Sequence, residues 1–182
     1  MRIIAGEWRG RPLVAPKGYA TRPTADRTRE ALFSMLLSRI GSLEDMQVAD
    51  LFAGSGALGL EALSRGAAHC LFAEQDKAAL DALRTNITRL GAGARSRVAA
   101  QSVLTLGPAR EPCDVLFMDP PYRTGAGAVA LDKLARLGWI GPASWVSIET
   151  ERGEDISVDG FRADTVRDVG KARIHLFRRT EA

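Results

Sequence analysis

From residue 47 onward the chain alternates between two hydrophobic patterns. "QVADLF" (47–52), "HCLFAE" (69–74), "RVAA" (97–100), "CDVLFMD" (113–119) and "ASWVSIET" (143–150) are short apolar runs, as expected of strands buried on both faces. Between them, "ALGLEALSRG" (57–66), "KAALDALRTNITRL" (77–90) and "GAVALDKLARLGW" (127–139) carry apolar residues at helical spacing. Gly66 and Gly91 fall where helix C-caps belong. Buried strands alternating with helices predict a Rossmann-like α/β domain, a parallel sheet covered on both faces. The end differs: "GFRADTVRDVGKARIHLFRR" (160–179) holds two alternating runs around "VGKA", which predict an antiparallel hairpin. Little room for a helix remains between 150 and 160. The expected sheet is therefore seven-stranded and mostly parallel, with its last two strands forming that hairpin.

The first 40 residues lie outside this alternation. "RIIAG" and "RPLVAP" could pair as a small hairpin around "EWRGR". "TADRTREALFSMLLSRI" (24–40) predicts a helix with Thr24 as its N-cap and Ala31, Leu32, Met35 and Leu36 on one face. Phe33 and Met35 read as core. The 182 residues suit one domain, 1–182, with residues 1–40 as an extension of a core spanning 41–182. No repeat, low-complexity run or linker interrupts it.

Composition adds little until charge is mapped. The hydrophobic fraction of 46% and charged fraction of 26% are ordinary for a soluble globular protein. No stretch is apolar enough to span a bilayer, and the N-terminus lacks the apolar region of a signal peptide, so a cytoplasmic location and no membrane partner are expected. Net charge is +3. Residues 1–39 hold eight basic and three acidic side chains (+5), and 162–182 hold six and three (+3), which leaves the middle at −5. Basic ends on an acidic core favour a polyanionic partner touched by the termini. Cys70 and Cys113 sit in apolar runs and read as small core residues, and His69 and His175 have no partner cysteines, so no metal site is expected.

The chemistry begins at "DLFAGSGALGLE" (50–61). Gly54, Gly56 and Gly59 fit G-x-G-x-x-G between a strand and a helix, and Glu74 ends the next strand twenty residues after Gly54, where a ribose-binding acid belongs. Glycines let the backbone approach a ligand, and the helix start supplies amide donors. A dinucleotide would bring a pyrophosphate. Asp50, four residues before Gly54, would repel it and suit an ammonium group instead; its other reading is an acid that braces the loop through backbone amides. The choice tips from NAD to S-adenosylmethionine, which carries an ammonium, a sulfonium and a ribose but no phosphate. The closing hairpin points the same way, to the methyltransferase form of the doubly wound fold over the dehydrogenase form.

The fourth strand of the core ends in "MDPPY" (118–122). Two prolines stop the strand and force Asp119 out of helical geometry. An exocyclic amine of a nucleobase is a poor nucleophile because its lone pair is delocalised into the ring. Asp119 and the carbonyl of Pro120 can accept its two N–H groups and draw it toward a tetrahedral arrangement, with the Pro-Pro unit fixing the direction. Tyr122 offers a ring for stacking, worth about 1–3 kcal/mol. A base must leave its stack to enter such a site.

The opening blocks "RIIAGEWRGRPL" and "RPTADRTREALF", with "DLFAGSGALGLEALSRGA" and "DPPY", resemble over nearly the whole chain the RsmD-type enzymes, which methylate N2 of a guanine in bacterial small-subunit (16S) ribosomal RNA. The resemblance implies S-adenosylmethionine contacts from Asp50, Phe52, Ala53, Gly54, Ser55, Gly56 and Glu74, with an adenine-side contact after the third strand. Related enzymes often have Asp or Asn there; this chain has Gln101 followed by Ser102, and Gln can offer its side-chain carbonyl. Asp119, Pro120 and Tyr122 take the acceptor and stacking roles. Arg2, Arg9, Arg11, Arg22, Arg27 and Arg29 become candidates for phosphate contacts, or for pairing with Asp26 or Glu30. Trp8 either stacks on an exposed base or packs the hairpin. The implied partner is 16S ribosomal RNA in an assembled or assembling small subunit, approached by a monomer. The rivals are a DNA amino-methyltransferase, short of room for a target-recognition domain; a protein-glutamine methyltransferase, which more often has Asn at position 119; and a non-catalytic RNA-binding module, which needs neither the cofactor loop nor Asp119.

Overall fold

The computed structural model describes residues 1–17 and 23–180. Strands β1 (Gln47–Leu51), β2 (His69–Ala73), β3 (Ser96–Ala99), β4 (Cys113–Met118), β5 (Ile140–Glu151), β6 (Phe161–Val169) and β7 (Ala172–Arg179) form one sheet in the order β3-β2-β1-β4-β5-β7-β6. All neighbours from β3 to β5 run parallel, and β7 lies antiparallel between β5 and β6. The predicted sheet and closing hairpin are both present, with no helix between 150 and 160.

Helices α1 (Pro23–Ile40), α2 (Ala57–Ser64) and α3 (Lys77–Leu90) pack on one face with Val48, Phe72, Val115 and Phe117; α4 (Ala126–Arg136) covers the other with Ala49, Leu51, Leu116 and Met118. The strand residues divide between the faces by simple alternation. α3 has the predicted bounds because its ends are local: Asp76 accepts the Ala79 amide at 2.9 Å, and Gly91 takes the left-handed turn at φ 67°. α1 starts at Pro23, a residue with no N–H to lose at a first helical position, so Thr24 lies in the first turn instead of capping it. α2 stops at Ser64 and α4 at Arg136, each short of the predicted end.

The N-terminal hairpin is reduced to a single bridge, Arg2 with Pro12, flanked by Ile3 N–H to Arg11 O at 2.9 Å and Leu13 N–H to Met1 O at 2.8 Å. The reason is a competing acceptor. Ile4 and Ala5 donate their amides to the carboxylate of Glu61 on α2, at 2.9 and 3.1 Å, and not to a neighbouring strand. Ser64 adds to the join: its hydroxyl accepts the Trp8 amide at 3.0 Å and donates to Ala5 O at 2.7 Å. The extension is thus fastened to the helix that follows the glycine loop.

Candidate active site

The crevice forms where the strands end. β1 passes into a loop that turns through Phe52 at φ 61° and Gly54 at φ 57°. The positive φ is strained at Phe52 and free at Gly54, where the space a side chain would occupy is open. Ala53 donates to Ala73 O at 3.0 Å and Gly56 to Ala53 O at 2.8 Å, which holds the loop over the ends of β1 and β2. Gly59 is required for another reason: a Cβ there would lie 2.4 Å from Phe72 Cε1 and 2.6 Å from Cys70 Sγ, so α2 can approach β2 only without one.

Glu74 and Gly54 meet as their spacing predicts. Glu74 Oε1 accepts the Gly54 amide at 2.8 Å, and Oε2 accepts the amides of Gln75 and Asp76, each at 2.8 Å. Oε1 has capacity for a second donor. Asp50 takes the bracing role, one of the two foreseen. It is 1% exposed, and its Oδ2 accepts the Gly59 amide at 2.9 Å, which leaves Oδ1 without a partner among the described residues. Burial pushes its carboxyl well above the ordinary range, partly offset by the Gly59 amide and reinforced by Asp119 and Glu74. Ser55 is buried, and its carbonyl accepts from Asn86 Nδ2 at 2.9 Å. Gln101 donates to Thr105 O at 2.9 Å. A carbonyl can only accept, so Nε2 must face it, which leaves the side-chain oxygen on the other side. The Ser102 hydroxyl caps the following turn, accepting the Leu104 amide at 3.2 Å.

Asp119 is the first residue past β4. Its side chain is exposed to solvent at the carboxyl end of the strand. Among the described residues no donor reaches the Pro120 carbonyl, whereas the Pro121 carbonyl accepts from Thr124 Oγ1 at 2.9 Å. Beside this loop is a cavity of about 200 Å³, walled by Pro120, Pro121, Tyr122, Glu149 and residues 154–157.

Glu149 is a residue that sequence reasoning missed. β4 and β5 are in register at Met118 and Ile148, so Asp119 and Glu149 follow side by side. The two carboxyls and the Tyr122 hydroxyl are near enough to act on one another electrostatically. Both acids are pushed upward, first by desolvation; Glu149 rises further because it also faces the charge of Asp119. Tyr122 is also raised, by burial and then by these acids.

Two other missed residues, Glu61 and Asn86, join the extension to the loop. Asn86 accepts the Val14 amide at 2.8 Å and donates to Val14 O at 3.0 Å as well as to Ser55 O. Their partners lie 57 and 72 residues away, so no local signal in the sequence marks them.

The proposed RNA contacts divide. Arg2, Arg9, Arg11 and Arg27 are exposed, and Arg11 also donates to Arg89 O at 2.7 Å at the end of α3. Arg29 does not reach the surface. It is 3% exposed and bonds to Glu61 at 3.3 Å, Asp26 at 3.1 Å and the Arg2 carbonyl. Trp8 is 6% exposed with the Arg95 guanidinium 5.0 Å from its ring centre, so it packs and offers no face to a base. Arg22 lies outside the described residues. Cys70 and Cys113 are buried with thiols raised by desolvation, Cys113 to about 12, which suits core residues.

A sheet of this order with an antiparallel seventh strand defines a Rossmann-like methyltransferase fold. Magnesium protoporphyrin IX methyltransferase from Synechocystis PCC 6803, solved with bound SAM, is alike in fold at a TM-score of 0.67, with 15% identity over 90% of this chain and 87% of that one. A putative methyltransferase yhhF from Escherichia coli aligns at a TM-score of 0.82 with 36% identity, covering 98% of this chain and 97% of that one. The family model described as "Conserved hypothetical protein 95" matches residues 1–178. Ribosomal RNA small subunit methyltransferase D of Escherichia coli K12 is 41% identical over 83% of this chain and 75% of its own length. The chain belongs to that family, the RsmD family.

Proposed function

We propose that the protein transfers a methyl group from S-adenosylmethionine to the exocyclic N2 amine of a guanine in 16S ribosomal RNA, within an assembled or assembling small subunit. One observation carries the amine-methylating part: Asp119 stands at the end of β4, across the crevice from the glycine loop, with the Pro120 carbonyl beside it. The relatives' names support ribosomal RNA as the substrate class.

The crevice fits the cofactor. Asp119 and Glu74 are close enough to raise the carboxyl of Asp50. An acidic crevice disfavours a pyrophosphate and suits a cationic ligand. Gly54 and its neighbours would carry the backbone side of the ligand, Glu74 Oε1 a ribose hydroxyl, and Gln101 the adenine amine. S-adenosylmethionine, when bound, supplies an electrophilic methyl on a sulfonium. The chain's own work is orientation and charge. Asp119 and the Pro120 carbonyl accept the two N–H groups, turn the nitrogen lone pair out of the ring plane, and stabilise the positive charge that develops on nitrogen. The carboxylate of Asp119 is placed to take the released proton. Tyr122 holds the base from one side, and exposed Arg2, Arg9, Arg11 and Arg27 supply phosphate contacts that set its approach.

The test is labelled methyl transfer to naked ribosomal RNA, small-subunit particles and DNA, with the product nucleoside identified by mass spectrometry. N2-methylguanosine from small-subunit particles, lost in Asp119→Ala while cofactor binding persists, is expected. Label in DNA alone, or full turnover by Asp119→Ala, would refute the reading.

A further inference from the structure

Asp119 and Pro120 explain how an exocyclic amine is held. They do not explain which base is chosen, because adenine, cytosine and guanine all carry such an amine. The bases differ at the ring nitrogen beside it. In adenine (N1) and cytosine (N3) that nitrogen is an acceptor; in guanine it is N1–H, a donor. A guanine edge presents three hydrogens in a row, one on N1 and two on N2.

The second carboxyl of the site stands where this difference can be read. Glu149 follows Ile148 as Asp119 follows Met118, and those two residues are paired in register. Paired residues of parallel strands point to the same face, with strands about 4.8 Å apart. Glu149 also lines the cavity beside Pro120 and Tyr122. A bracing role alone accounts poorly for it, since two adjacent acids repel each other, and the loop's arginine, Arg123, is paired to Glu151 at 2.5 Å and not to either of them.

We infer that Glu149 selects guanine: its carboxylate accepts N1–H while Asp119 and the Pro120 carbonyl hold the adjacent N2 amine. The inference rests on the guanine-N2 reading above. An incoming guanine sets its own donors between two acids that would otherwise face each other. An adenine or cytosine would set an acceptor lone pair against an acceptor, and is rejected.

The test uses small-subunit particles reconstituted with RNA that carries either guanine or 2-aminopurine at the mapped acceptor position. Both bases have the C2 amine, but N1 of 2-aminopurine is an acceptor. The wild-type protein is expected to prefer guanine by about tenfold or more in kcat/KM. In Glu149→Gln the side-chain amide can donate to N1 of 2-aminopurine, and the preference should fall by about the same factor. An unchanged preference in the variant overturns the inference. Should the variant be inactive on both, the wild-type ratio decides: a ratio near one overturns it, and a tenfold preference upholds it. If the labelled product is not N2-methylguanosine at all, the functional reading falls as well, which separates the two failures.

Discussion

Replacing Glu61 with Ala removes the acceptor that holds the N-terminal extension to the catalytic core. Glu61 is fully buried and takes four hydrogen bonds: Ile4 at 2.9 Å, Ala5 at 3.1 Å, Arg29 at 3.3 Å and Arg65 at 2.9 Å. Arg29 is 3% exposed and cannot turn to water in place. Removing one partner of a buried ion pair costs about 3–5 kcal/mol. Each amide left without an acceptor would cost a further 1–3 kcal/mol or so, unless residues 1–14 detach and hydrate. Detachment caps the loss, so about 3–5 kcal/mol is the working figure. For a domain of this size that is a fall in Tm of roughly 6–20 °C. Thermal unfolding reads the global part, and hydrogen exchange at the Ile4 and Ala5 amides reads the local part. A variant with unchanged Tm and unchanged protection at both amides would refute the account of how the extension is fastened.

Gly59→Ala should destabilise by about 1–3 kcal/mol in urea, because the new methyl meets Phe72 and Cys70 in a packed interface. Asn86→Ala should weaken cofactor binding as well as stability, since it releases Ser55 of the glycine loop from Val14; calorimetric titration with S-adenosylmethionine checks the first effect. The acid pair gives opposite trends with pH. Carboxyls raised in the folded state bind protons more tightly there, so their stabilising contribution is full below the ordinary carboxylate range and is lost as pH rises through about 6 for Asp119 and about 8 for Glu149. Activity should rise over the same window as the acceptors ionise. The groups facing the pair are Tyr122 and the buried Asp50, and Glu151, paired with Arg123, acts on Tyr122. A flat rate profile between pH 5.5 and 8.5, roughly the span of both titrations, would contradict the assignment. Reversing charge at Arg9 and Arg11 should weaken RNA binding and flatten its dependence on salt, measured by filter binding over a salt series.

Much of this was legible in the sequence because it is decided locally. The helix of residues 77–90 is bounded by a side-chain cap and a glycine, both contiguous with it. The alternation of apolar runs sufficed for the sheet and its closing hairpin, since the strands must bury both faces whatever their neighbours. The loop from Phe52 to Gly56, Glu74 and Asp119 converge because a doubly wound sheet brings the carboxyl ends of its strands to one crevice. What the sequence left open turned on partners distant along the chain. Trp8 and Arg29 each had an RNA-facing and a packing reading, and a ring under Arg95 and a guanidinium bound to Glu61 and Asp26 decide for packing. Asp50 had two readings that can hold together, and the Gly59 amide shows the bracing one. The N-terminal segment had the pattern of a hairpin, but a carboxylate on α2 competes for its amides and leaves one bridge. Glu149 is separated from Asp119 by helix α4 and most of β5. Residue type and local spacing therefore set where this chain could bind a nucleotide-like ligand and grip an amine; only strand register placed a second acid beside the first, because register is a property of two segments and neither carries it alone.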